Sequence, residues 1–204
     1  DHSFLSHLNG LSWEEAALNE EVDGVTGATL TSVAIQEGIL LRLSGTRASL
    51  RFTNPITLID AQTLFTEASS LEATTKSSSR WRVLDAAGTE LGTLLRTSPA
   101  ADAIVGYQGP SDVLVGFDAA GGLTGLTLLE TYDNEEYAVY LSDDDYYRAQ
   151  FKGLTLAELA GLDWRAAEID GVSGSTLISN SVTEGMVLAA QAERAASKEP
   201  ALDW

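Results

Sequence analysis

Residues 23–32, DGVTGATLTS, return near the other end of the chain as residues 170–179, DGVSGSTLIS. A repeated segment implies a repeated supersecondary unit, so the fold must be built from copies of one block. The likeness is longer than ten residues. Each copy has a Gly-Leu step (Gly10-Leu11, Gly153-Leu154) and then a Trp (Trp13, Trp164). Asp-Gly-Val and the turn follow, and then a helix-compatible run containing Glu-Gly (Glu37-Gly38, Glu184-Gly185). Strand-forming sequence, by contrast, occurs once, between about residues 80 and 130. The chain therefore reads as the end of one unit joined to a whole second unit. That is an α+β arrangement with a partial N-terminal repeat.

Local patterns divide the chain further. Residues 11–21 read as a short helix, with Ser12 as N-cap and Glu15 at capping-box spacing. Leu30, Val33, Ala34 and Leu41 recur at helical spacing after the first turn. The pattern breaks at SGTRASLRFTNP, which places the main boundary near residues 44–55. TLIDAQTLFTEAS reads as a helix. Residues 79–99 read as two strands joined by a glycine-containing turn, through Trp81, Val83, Leu91, Leu94 and Leu95. A second strand pair follows, with DAAGG as its turn. SDDDYYRAQFKG, TLAELAGLDW and the run 179–198 read as helices. Asp143, Asp144 and Asp145 suggest a cation site less than a helix start, where acidic residues complement the macrodipole. The resulting organisation is 1–43, the C-terminal part of a first repeat; 44–79, linker and helix; 80–195, a complete domain; and 196–204, a tail.

Composition removes several classes of function. With 204 residues, 44% hydrophobic and 21% charged, the chain has the make-up of a globular protein large enough to bury a core. A net charge of −18 and only three lysines (Lys76, Lys152, Lys198) set it against a nucleic-acid partner. There is no cysteine, so thiol catalysis, disulfides and thiolate metal sites are excluded within the chain. The two histidines, His2 and His7, are expected to be solvent-exposed rather than ligands or members of a triad. No apolar run reaches the ~18–20 residues of a membrane span, and no metal site is expected. The first residue is not Met, as expected of a processed or excised piece.

Thr26-Gly27-Ala28-Thr29 and Ser173-Gly174-Ser175-Thr176 each combine a glycine, small neighbours and hydroxyls at a predicted helix start. Glycine allows close approach of a ligand, and a helix N-terminus offers unpaired N–H groups and partial positive charge, a seat for phosphate. A single such turn would be an ordinary N-cap. Two, with Asp23 and Asp170 at one offset, favour a ligand.

DGVTGAT resembles the Asp-x-x-Ser/Thr-Gly-Ala-Thr signature of the covalent FMN-binding domains of the NqrC, RnfG and NosR/NirI group. The stretch from Thr97 to about Tyr137, with its Gly-Tyr-x-Gly-Pro opening at Gly106, resembles the strand–turn–strand of that family, most of all its NosR-like members. The resemblance covers roughly residues 80–190 as a complete domain; residues 1–43 are similar to the C-terminal portion of another.

This resemblance implies an FMN-binding domain with a small antiparallel or mixed sheet packed by helices. It implies FMN esterified through its phosphate to threonine by an exported flavin transferase, one or two per chain. The acceptors by position are Thr29 and Thr176; the second copy has Ser175 where the family pattern has alanine. Asp23, Thr26, Gly27, Ala28 and Leu30 in the first copy would bind cofactor, as would Asp170, Ser173, Gly174, Ser175 and Leu177 in the second, with Glu130 and Tyr137. Tyr137 and Leu177 fit either the flank of an isoalloxazine or the packing of a core.

The implied function is an extracytoplasmic electron-transfer module, periplasmic or on the outer face of the cytoplasmic membrane. It would serve membrane redox partner proteins in a respiratory system, rather than act as a stand-alone enzyme. Membrane association would come through a partner or a segment absent from this chain. The alternative is a NosR/NirI-like regulatory or sensory module with an empty or partly degenerate flavin site. A flavin reductase using nicotinamide is weaker, since no Gly-x-Gly-x-x-Gly follows a strand.

Overall fold

The computed structural model describes residues 10, 49–74 and 79–196. The chain divides into two compact units, Asp1–Thr53 and Asn54–Trp204. In the first, the Ser49 hydroxyl accepts the N–H groups of Arg51 (3.2 Å) and Phe52 (2.9 Å). The first repeated turn, and with it Asp23, Thr26, Gly27, Ala28, Thr29 and Leu30, lies outside the described residues.

The second unit is an α+β domain on a five-stranded antiparallel sheet whose strands pair in chain order. The strands are β1 (Ser70–Ala73), β2 (Arg80–Leu84), β3 (Glu90–Arg96), β4 (Ser111–Asp118) and β5 (Leu123–Thr131). Two hairpins share one turn chemistry. Asp85-Ala-Ala-Gly88 and Asp118-Ala-Ala-Gly121 each place the glycine at positive φ (80° and 87°), a conformation that costs glycine nothing. Each aspartate caps its own turn. Asp85 accepts the N–H groups of Ala87 and Thr89, and Asp118 those of Ala120 and Gly122. These bonds, that from Thr89 first, hold the Asp85 carboxyl below its usual range.

Strand alternation sends side chains to two cores. Leu95, Val113, Val115 and Phe117 join one, with Leu94 and Leu114 in the other. The first core is closed by the long helix α5 (Thr176–Ala196), through Ile178, Val182 and Met186. The second is closed by Leu64, Phe65 and the helix α1 (Leu58–Gln62). Between these two helices in sequence lie α2 (Glu135–Asp143), α3 (Asp145–Ala149) and α4 (Leu156–Ala160).

Three expectations need correction. The helix expected over TLIDAQTLFTEAS stops at Gln62, because the Thr63 hydroxyl turns back to the Asp60 carbonyl (2.7 Å) and the chain bends to bring Leu64 and Phe65 onto the sheet. Strand structure also begins before residue 80. β1 is an edge strand of exposed or half-buried residues, held by its ladder to β2 and by the Glu72–Arg82 ion pair (2.9 Å). Lastly, the acidic triplet does not open one helix after Ser142. Asp143 ends α2, Asp144 caps α3 by accepting the Tyr147 N–H (2.7 Å), and Asp145 sits in the first turn of α3.

Candidate functional site

The second repeated turn leads directly into α5, whose first residue is Thr176. Ser175 precedes it as the cap: its carbonyl accepts the Ser179 N–H (2.9 Å). The amides of Thr176, Leu177 and Ile178 therefore have no partner within the helix. Gly174 turns the chain at φ 82°.

The turn is braced from behind. Val172 donates its N–H to Ser179 Oγ (3.1 Å), and Ser179 Oγ in turn donates toward the carbonyls of Ser175 and Thr176 (both 3.1 Å). The Ser179 carbonyl accepts from the Tyr147 and Thr183 hydroxyls (both 2.9 Å). Tyr147 is buried, and burial pushes its phenol well above the usual range, so it acts as a neutral hydroxyl.

In front of the turn lies a cleft of about 640 Å³, inside the ~300–1,000 Å³ usual for small-molecule sites. Its walls are Tyr107 and Gln108 from the loop before β4, Asn134 and Tyr137 at the start of α2, and residues 174–178. Two walls are joined by one bond, from the Ser175 hydroxyl to the Tyr137 carbonyl (2.6 Å). Thr176 itself is exposed on this cleft, its hydroxyl only 3.5 Å from the Val172 carbonyl.

The lining contains no charged side chain, although the chain carries −18 overall. Two of the acids near these residues in sequence, Asp170 and Asp133, are held by hydrogen bonds. Asp170 accepts from the Tyr146 hydroxyl (2.9 Å), while Gln150 bonds its N–H (2.8 Å) and its carbonyl (3.0 Å). That contact holds the Tyr146 phenol above its usual range. Asp133 is buried and accepts three backbone N–H groups, from Tyr107 (2.7 Å), Gln108 (3.0 Å) and Asn134 (2.9 Å). An anionic phosphate thus meets free amides and the positive end of a 21-residue helix without an opposing carboxylate in the lining.

The structure brings Gly174, Ser175, Thr176, Leu177 and Tyr137 together in this cleft. Tyr137 and Leu177 are 41% and 55% exposed, so neither is a core residue. Ser173 is exposed and Asp170 accepts from the Tyr146 hydroxyl; both lie outside the lining. Glu130 accepts from the Asn54 amide (3.2 Å) on β5 and is likewise outside it. Tyr107, Gln108 and Asn134 line the cleft without having been singled out as binding residues, though the Gly-Tyr-x-Gly-Pro run marked the loop that carries the first two.

Residues 106–191 match the FMN-binding domain family. The matching segment begins at Gly106, the residue before Tyr107, and ends within α5, so it encloses every residue of the cleft lining. The crystal structure of Shewanella oneidensis NqrC is similar at a TM-score of 0.35 and 14% identity, over 63% of this chain and 70% of that one. No curated protein matches the sequence. Among the described residues, no helix is long and apolar enough to cross a membrane. No group of three or more acidic or imidazole side chains there is placed to hold a metal.

Proposed function

We propose that this chain is an electron-transfer module that carries FMN covalently, with the flavin phosphate esterified to Thr176 Oγ1. The observation that carries the reading is the position of Thr176. It is an exposed first residue of a long helix, on an uncharged cleft of small-molecule size within the segment that matches the FMN-binding domain family.

The residues fit the group. The amides of residues 176–178 would take phosphate oxygens, and Tyr107 and Tyr137 offer aromatic faces to a ring system. When bound, FMN supplies reversible uptake and release of electrons, and the protein supplies position and electrostatics. A tether keeps the flavin from being lost, which matters most outside the cytoplasm. The proposed setting is therefore extracytoplasmic, with an exported flavin transferase for maturation and membrane redox proteins as partners. Thr29, in the matching turn, is proposed as a second acceptor, and a NosR-like role is proposed for the chain.

Intact mass after expression with and without a flavin transferase tests the reading. Addition of FMN less one water, lost in Thr176→Ala, is the expected result. An unmodified mass in the presence of an active transferase would overturn it.

A further inference from the structure

We infer that Asp133 is the positioning residue of the cleft: its carboxylate sets where Tyr107 and Gln108 stand against the Thr176 turn, and so fixes the seat of the bound ring. The inference rests on the reading of the cleft as a flavin site.

Tyr107 is 64% exposed and Gln108 is also exposed, so burial of side chains does not hold this loop. Backbone bonds do. Gly106 N–H donates to the Gly109 carbonyl (3.0 Å), and Tyr132 N–H donates to that of Pro110 (2.9 Å). The two amides at the tip, those of the lining residues, both end on Asp133. The fit is close. A Cβ at Gly106 would stand 2.2 Å from Asp133 Oδ2 and 3.3 Å from the Ile178 Cα, so only glycine lets the loop lie against both the carboxylate and α5.

The same carboxylate reaches a second wall. Asp133 Oδ1 accepts from Asn134, whose side chain caps α2 by accepting the Glu136 N–H (3.1 Å). α2 in turn meets the third wall, where the Tyr137 carbonyl accepts from the Ser175 hydroxyl. Asp133 is itself fixed, its N–H donating to Thr131 Oγ1 (2.9 Å), which pairs with Ser111 Oγ (2.8 Å). One buried side chain thus links the loop, α2 and, through α2, the Thr176 turn. A carboxylate has enough lone pairs for all three amides, which a carboxamide does not.

Asp133→Asn tests this in the full chain, flavin-loaded and unloaded. The shape is kept, but one acceptor becomes a donor facing an N–H. Depending on its orientation, the amide loses either the Tyr107 bond or those to Gln108 and Asn134. In the unloaded chain, hydrogen exchange at 106–108 should quicken about tenfold, the loss of one hydrogen bond. In the loaded chain, the visible circular dichroism of the flavin should fall. Its midpoint potential should rise, because a negative charge beside the cleft is gone.

Unchanged exchange at 106–108 would overturn the inference. So would faster exchange with the flavin's dichroism and potential unaltered, since Asp133 would then be structural only. Should the variant not fold, Gly106→Ala displaces the same loop and must show the same loss of dichroism; if it does not, the inference fails. Absence of flavin from Thr176 in the unsubstituted chain would overturn the site reading itself, and this inference with it.

Discussion

The Ser175 hydroxyl donates to the Tyr137 carbonyl at 2.6 Å, joining the start of the long helix to the helix that carries the cleft's aromatic wall. Ser175 is 2% exposed, so its hydroxyl is spent on this bond rather than on the amides that face the cleft. The serine that departs from the family pattern therefore has a structural role. Ser175→Ala should lower stability by about 1 kcal/mol, roughly 2–4 °C in Tm for a domain of this size. Flavin loading at Thr176 should persist, since alanine is what the signature carries. A thermal melt with intact mass checks both; loss of loading would mean that Ser175 belongs to the acceptor site.

Two flavins per chain are expected after maturation. Thr176→Ala and Thr29→Ala should each remove one, and the double variant both, because each turn places its threonine alike in sequence. Proteolytic mapping of flavin fluorescence distinguishes the two positions. Fluorescence on the Thr29 peptide alone would make the complete domain a scaffold or sensor, the alternative role considered from the sequence.

The hairpins were legible because their chemistry is local: an aspartate and a glycine fix each turn, and strands beside it alternate between two cores. The Thr176 turn was legible for the same reason, with its hydroxyls and glycine within four residues. β1 was not, because Ser70-Leu-Glu-Ala73 is only four residues long, buries none of them fully and is held by its partner strand. Nor was the role of Asp133. Its bonds to Tyr107 and Gln108 span 26 and 25 positions, and nothing in either segment alone shows that they meet. Glu130, placed in the site by resemblance, is engaged with Asn54 instead of the lining.

Tyr147 braces the acceptor turn from the core, its hydroxyl 2.9 Å from the Ser179 carbonyl and 2.8 Å from Thr183 Oγ1. Its ring meets Phe151 edge-on at 5.3 Å. Tyr147→Phe keeps the ring packing and deletes only the hydroxyl, while Thr183 still serves the Ser179 carbonyl. The expected cost is about 1 kcal/mol, read from urea midpoints, with flavin loading intact. A cost several times larger would show that Thr183 cannot hold the turn without its partner.

Asp112 is expected to give the chain a pH dependence. It is fully buried, paired with Arg96 Nε at 2.7 Å, and it accepts the Ser98 N–H (3.2 Å). Burial pushes its carboxyl up to about 6, against the pull of Arg96 and with a further push from Asp102. A carboxyl raised in the folded state binds a proton there more readily than in the unfolded chain, whose ordinary value is 3.8. Its stabilising contribution is therefore full below about pH 4 and is lost as pH rises through about 6, by no more than about 3 kcal/mol. Self-repulsion among the acidic residues acts in the same direction, so the unsubstituted chain alone cannot isolate Asp112. Asp112→Asn can: Arg96 keeps its bond to the Asn54 carbonyl (2.9 Å), and the fall in urea midpoint between pH 5 and 7 should become shallower. An identical slope in both proteins would mean that Asp112 stays ionised across this range and that Arg96 outweighs its burial.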